Sequence, residues 1–147
     1  MTARELGEEE TALAYEAMAE LRPHLGSAAD FVARVDGQQR PEGYRLVASF
    51  ADGPWAAVAA MGFRTGHSLA WGRFLYIDDL VTLPTARGQG HASSLLAWAV
   101  EEAGSLGCDQ IHLDSGHARH DAHRLYLQRG FRITGHHFSQ PIGTDAG

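Results

Sequence analysis

The stretch that most constrains this chain runs from Phe74 to Val100 as strand, glycine loop and helix. Phe74-Leu75-Tyr76-Ile77-Asp78-Asp79-Leu80-Val81-Thr82-Leu83 is rich in β-formers and stops at Pro84. Thr85-Ala86-Arg87-Gly88-Gln89-Gly90-His91-Ala92 follows, and Ser93-Ser94-Leu95-Leu96-Ala97-Trp98-Ala99-Val100 then carries a helical pattern. A glycine-rich loop that opens a helix suits an anion. The first-turn N–H groups lack intrahelical partners, the helix dipole is positive there, and glycine lets a phosphate approach the backbone. Arg87 adds a fork of donors for phosphate oxygens.

The loop is not a P-loop, because His91-Ala92 follows Gly90 where Lys-Ser or Lys-Thr is required. It also departs from G-x-G-x-x-G, since Ser93 stands at the third glycine. No acidic residue ends a next strand at ribose distance, although Asp109 and Asp114 are near enough to leave that reading open. R-x-x-G-x-A does fit, from Arg87 to Ala92, and it resembles the acetyl-CoA loop of the GNAT superfamily of N-acetyltransferases. Downstream, Ile111-His112-Leu113-Asp114 reads as a strand. The segment Ala118-Arg119-His120-Asp121-Ala122-His123-Arg124-Leu125-Tyr126-Leu127-Gln128-Arg129-Gly130-Phe131 then resembles that family's last helix with its Tyr-x-x-x-Gly-Phe ending. Gly130 stands where a helix takes a left-handed terminal residue. The two motifs occur in the family's order and cover 74–138.

Length and composition agree. With 147 residues and 44% hydrophobic content, one domain over 1–147 has room for a core. The net charge of −6 and the lack of a basic run disfavour a nucleic-acid partner. A single cysteine, Cys108, excludes an internal disulfide and suits a reducing cytoplasm. No apolar run approaches a membrane span, and no basic-then-apolar leader opens the chain.

In chain order, 3–6 reads as a short edge strand. A helix opens at Glu8-Glu9-Glu10 and stops at Pro23. A second helix is capped by Ser27 with Asp30 and runs to Gly37. Strands over 44–50 and 55–63 flank a turn at Ala51-Asp52-Gly53-Pro54. A loop over 64–72 precedes the strand over 74–83. Then come helix 90–106 ended by Gly107, strand 110–115, helix 118–129, and a strand over 131–138 closing the sheet. This order predicts an α/β (α+β) protein, and the resemblance implies a GNAT fold: a mixed sheet of about six to seven strands flanked by about four helices.

Acetyl transfer to an amine requires a deprotonated nucleophile, donors for an oxyanion, and a proton for the departing thiolate. The resemblance implies that main chain at Leu80, Val81 and Thr82 lines the thioester arm of acetyl-CoA. It implies equally that Arg87, Gly88, Gln89, Gly90, His91, Ala92 and Ser93 hold its diphosphate, and that Tyr126 faces the sulfur as acid. A phenol of ordinary pKa, about 10, stays protonated at neutral pH. The same tyrosine could instead simply fill core at a helix end. Where many relatives place Asn, this chain has Arg119, which donates but cannot accept.

Candidate bases are Asp78, Asp79 and Asp114. The first two resemble the acidic pair of spermidine/spermine-type acetyltransferases, and Asp114 matches the glutamate position of ribosomal-protein alanine acetyltransferases. Strand alternation predicts that only one of Asp78 and Asp79 faces the acceptor, and the alternative is ion pairing with Arg73 or Arg45. His117, His120 and His123 are read as solvated or phosphate-facing side chains; no metal is expected. Arg22, His24 and the run Gln38-Gln39-Arg40 stand on helices that wall the acceptor site in the family, although solvated faces explain them too.

The resemblance thus implies an acetyl-CoA-dependent N-acetyltransferase working by direct transfer; the acidic pair and the acidic net charge point to a small primary amine, polyamine-like or amino-acid-like, and the single cysteine to the cytoplasm. A protein or peptide amine, a non-catalytic CoA-binding module, and a nucleotide-binding interaction domain are the alternatives. A sheet edge near the C-terminus leaves room for a homodimer.

Overall fold

The computed structural model describes residues 2–51 and 56–143. They fall into two compact units, with the chain dividing after Leu113.

The first unit is a five-stranded sheet in the order β1-β2-β3-β4-β5, formed by Thr2–Leu6, Arg45–Phe50, Ala59–Ser68, Gly72–Thr82 and Gln110–Leu113. The first four strands pair antiparallel in sequence order, and β5 pairs parallel to β4. Two short helices, α1 (Tyr15–Leu21) and α2 (Ala28–Arg34), follow β1. The acidic run at Glu8 opens as a 3-10 turn, Glu8–Ala14, before α1. Ser27 caps α2 as its sequence predicts, exchanging bonds with Asp30 at 3.1 and 3.0 Å. One core joins these helices to the sheet through Met18, Phe31, Val35, Leu46, Ala48, Phe50, Ala60 and Val81. Helix α3 (His91–Ser105) buries Leu95, Leu96 and Ala99, and its Trp98 ring meets Phe63 of β3 at 5.7 Å.

The segment 64–68 continues β3 instead of forming a loop. Its polar and glycine content hides a ladder with β4 in which Arg64 faces Tyr76, Gly66 faces Phe74 and His67 faces Arg73. Pairing has overridden a weak local propensity. The expected turn at 51–54 and the strand start at Trp55 lie outside the described residues, apart from Ala51, which is exposed.

In the second unit, α4 (His120–Gln128) is capped by Arg129 and followed by Gly130, whose φ is +90°. Residues 131–138 form no strand, so among the described residues the sheet has five strands where six to seven were expected. An alternating segment becomes a strand only by pairing. Here Ile133 and Phe138 are 78% and 90% exposed, without a ladder to order them. Among the described residues, no helix is long and apolar enough to cross a membrane.

Candidate active site

The loop after β4 takes the form its glycines allow. Gly88 and Gly90 have φ of +76° and +89°, the left-handed region open to glycine at little cost. Gly90 is the N-cap of α3, so no side chain caps the helix, and its first turn carries no acidic residue. The N-cap position itself therefore supplies no oxygen to the first-turn N–H groups. Arg87 is exposed and has no ion-pair partner among the described residues. His91 is different: its side chain turns inward, 3% exposed, with Nδ1 2.7 Å from Ser49 Oγ. Burial pushes its imidazole below the ordinary histidine value. Gln89 donates to the Thr85 carbonyl at 3.5 Å, a long contact within the loop.

Strands β4 and β5 pair only as far as Ile77 and Leu113. Beyond that point the main chain of Leu80, Val81 and Thr82 keeps its ladder with β3 and, among the described residues, has no strand on its other side. Parallel strands that part in this way leave main-chain donors and acceptors available to a ligand.

At the same level β4 bulges. Asp79 pairs with Gly62, but Ile77 pairs with Phe63, so Asp78 is one residue too many for its partner strand. The bulge overturns the expected alternation: Asp78 and Asp79 both turn away from α3. Tyr44 donates its hydroxyl to Asp79 Oδ2 at 2.8 Å, and Arg22 donates Nε to Asp79 Oδ1 at 3.1 Å. Arg22 Nη2 also reaches the Asp78 carbonyl at 3.2 Å. Arg64 Nε lies 3.1 Å from both Asp78 carboxylate oxygens, with its guanidinium over the Tyr76 ring. The expected arginines are not the partners. Arg45 pairs with Glu5 and Glu102, and Arg73 leaves its Nε buried without a hydrogen bond.

Desolvation pushes the Asp78 carboxyl above the ordinary aspartate value, against the opposing charge of Arg64. Burial raises the Tyr44 phenol too, and the Asp79 carboxylate adds to it, so this hydroxyl is a permanent donor. Sequence reasoning missed Tyr44 and Arg64. The available signal was Gly62, a glycine inside an apolar strand: a Cβ there would sit 1.7 Å from the Tyr44 oxygen.

The second unit holds Tyr126, Arg119 and Asp114. Tyr126 is 8% exposed, and its ring meets Phe131 at 6.0 Å. Its hydroxyl makes no hydrogen bond among the described residues. Burial raises the phenol above its usual value, while Arg119 acts to lower it. Asp114 is exposed, 3.4 Å from His137 Nδ1. Ser115 Oγ is buried with no partner among the described residues, a polar atom of the kind that a bound group satisfies. His123 Nε2 lies 2.8 Å from the Gly116 carbonyl oxygen, and its ring meets that of His120 at 6.0 Å. Among the described residues no cluster of three side chains could hold a metal.

A mixed sheet with parting parallel strands and a glycine turn into a helix without a side-chain cap fit an acyl-transfer enzyme. The chain belongs to the acetyltransferase (GNAT) family, whose model it matches over residues 10–131. It is 34% identical over 135 residues to the uncharacterized N-acetyltransferase YhdJ of Bacillus subtilis (strain 168), covering 91% of this chain and 93% of that protein. It is 42% identical over 66 residues to the aminoalkylphosphonate N-acetyltransferase of Salmonella typhimurium, covering 45% of this chain and 43% of that one. Its fold is similar to that of aminoglycoside N-acetyltransferase AAC(6')-Iy in complex with CoA. That match has a TM-score of 0.82 at 15% identity and covers 96% of this chain and 93% of the other.

Proposed function

We propose that this acetyltransferase uses acetyl-CoA to acetylate the primary amine of a small molecule, by direct transfer within one ternary complex. The observation that carries the reading is the start of α3, where two left-handed glycines precede an uncapped positive helix end beside the exposed Arg87. That donor set fits a diphosphate. The strand edge at Leu80, Val81 and Thr82, which β5 does not pair, fits an amide-bearing arm. Support also comes from the relatives, one an aminoalkylphosphonate N-acetyltransferase and another a fold neighbour solved with CoA.

When bound, acetyl-CoA supplies the activated acyl carbonyl. In this reading Arg87 and the main-chain N–H groups of Gly88, Gln89, Gly90, His91, Ala92 and Ser93 hold its phosphates, and Arg119 adds a further cation. Main chain at Leu80, Val81 and Thr82 orients the thioester and donates to the developing oxyanion. Asp78 and Asp79 draw the ammonium and accept its proton through water, with Asp114 as the alternative base. The neutral phenol of Tyr126 gives a proton to the departing thiolate. We propose a single domain over 1–147 in the cytoplasm, where Cys108 stays reduced, and a homodimer that light scattering would test.

The test is thiol release from acetyl-CoA over a panel of primary amines, on the native enzyme and on Tyr126→Phe. Amine-dependent release that falls in the variant is expected. Release that no amine accelerates would overturn the reading.

A further inference from the structure

The acidic pair alone would make a receptor for cations, but its arginines change what an incoming molecule meets. All four carboxylate oxygens already accept a hydrogen bond: two at Asp79, from Tyr44 and Arg22, and two at Asp78, from Arg64 Nε. The donors are not used up. Arg64 engages Asp78 through Nε, and neither of its terminal nitrogens makes a hydrogen bond among the described residues. Arg22 uses Nε and Nη2 and leaves Nη1. The exposures run the same way. The Arg64 and Arg22 side chains are 51% and 43% exposed, whereas those of Asp78 and Asp79 are 25% and 15%.

Two arginines and two aspartates sum to no net charge, with the guanidinium groups outermost and both flanking Asp78. A molecule bearing only positive charge, such as a diamine, meets cations first. A planar guanidinium edge instead matches the oxygens of a carboxylate or phosphonate.

We infer that the acceptor carries an acidic group besides its amine, and that Arg64, with Arg22 beside it, binds that group while the ammonium reaches the aspartates. This rests on the acetyltransferase reading and narrows its substrate class. Arg64 becomes the specificity-determining residue.

The test compares acceptors of similar length with acetyl-CoA: 2-aminoethylphosphonate, β-alanine, propylamine and putrescine. An acid-bearing amine is expected to exceed both acid-free amines in kcat/KM by about tenfold to a hundredfold, the range of one charge-assisted contact. The phosphonate and carboxylate arms tell which acid is meant. Arg64→Gln should collapse that ratio through KM, and Arg64→Lys should restore part of it. Loss of Asp78 pairing would slow every acceptor alike, so the ratio separates anchoring from a structural role. Preference for putrescine, or a ratio unchanged in Arg64→Gln, would sink this inference and leave the acetyltransferase intact. No turnover of any amine would sink both.

Discussion

Tyr44 and Asp79 are joined by a 2.8 Å hydrogen bond from phenol to carboxylate, and Gly62 makes the space for it. The bond runs from the residue just before β2 to β4, so it fixes the carboxylate and the tyrosine ring together. Tyr44→Phe keeps the ring and removes the donor, leaving one oxygen of a mostly buried carboxylate unpaired. Its expected cost is about 1–3 kcal/mol of stability, read by denaturant unfolding. Gly62→Ala should cost more, because its Cβ would overlap the Tyr44 ring as well as its oxygen. Equal stability of Gly62→Ala and the native chain would show that Tyr44 does not lie there.

Asp78 should make stability fall with rising pH. Burial raises its carboxyl, so the unfolded chain ionises first as pH passes about 4, and the folded chain follows at higher pH. Over that window the folded state binds more protons, and the fold weakens. Asp78→Asn removes this contribution. The melting temperature of the native chain relative to the variant should therefore drop between pH 4 and pH 6. A difference that stays flat would place the Asp78 carboxyl at its ordinary value.

His91 acts from the other side. Its buried imidazole resists protonation in the folded state, while the unfolded chain takes up a proton as pH falls through about 6.5. Stability is full above that pH and is lost below it. His91→Gln should flatten thermal melts between pH 7.5 and 5.5. Equal slopes in variant and native chain would mean that the imidazole reaches solvent.

Tyr126→Phe keeps the buried ring and deletes the proposed proton donor. General acid catalysis typically contributes about 10²–10⁴-fold, so kcat should fall into that range below the native rate with little change in melting temperature. Because burial raises the phenol, native activity should show no loss from its ionisation below pH 9. Full turnover by the variant, under conditions limited by chemistry, would remove Tyr126 from the reaction.

Arg87→Gln tests the cofactor loop. The substitution should raise KM for acetyl-CoA by about tenfold, the worth of one charged contact, and make it less sensitive to salt. The acceptor KM should be unchanged. Gly90→Ala adds a strained left-handed residue, at about 1–2 kcal/mol, to the same defect. An unaltered cofactor KM in both variants would move the phosphate site elsewhere.

Local chemistry was legible wherever it is short-range. Ser27 with Asp30, the glycines at 88, 90, 107 and 130, and the β-rich run before Pro84 each act within a few residues, and all appear where the amino-acid order put them. The family likeness follows from the same local motifs. Four features required the folded chain: the bulge that turns Asp78 and Asp79 to one face, their pairing with Arg64 and Arg22, the inward turn of His91 to Ser49, and the absence of a strand over 131–138. Their partners lie 14 to 57 residues apart along the chain, or are missing altogether. Register, burial and ion-pair choice are set when distant segments meet, and no spacing along one strand encodes which arginine arrives across it.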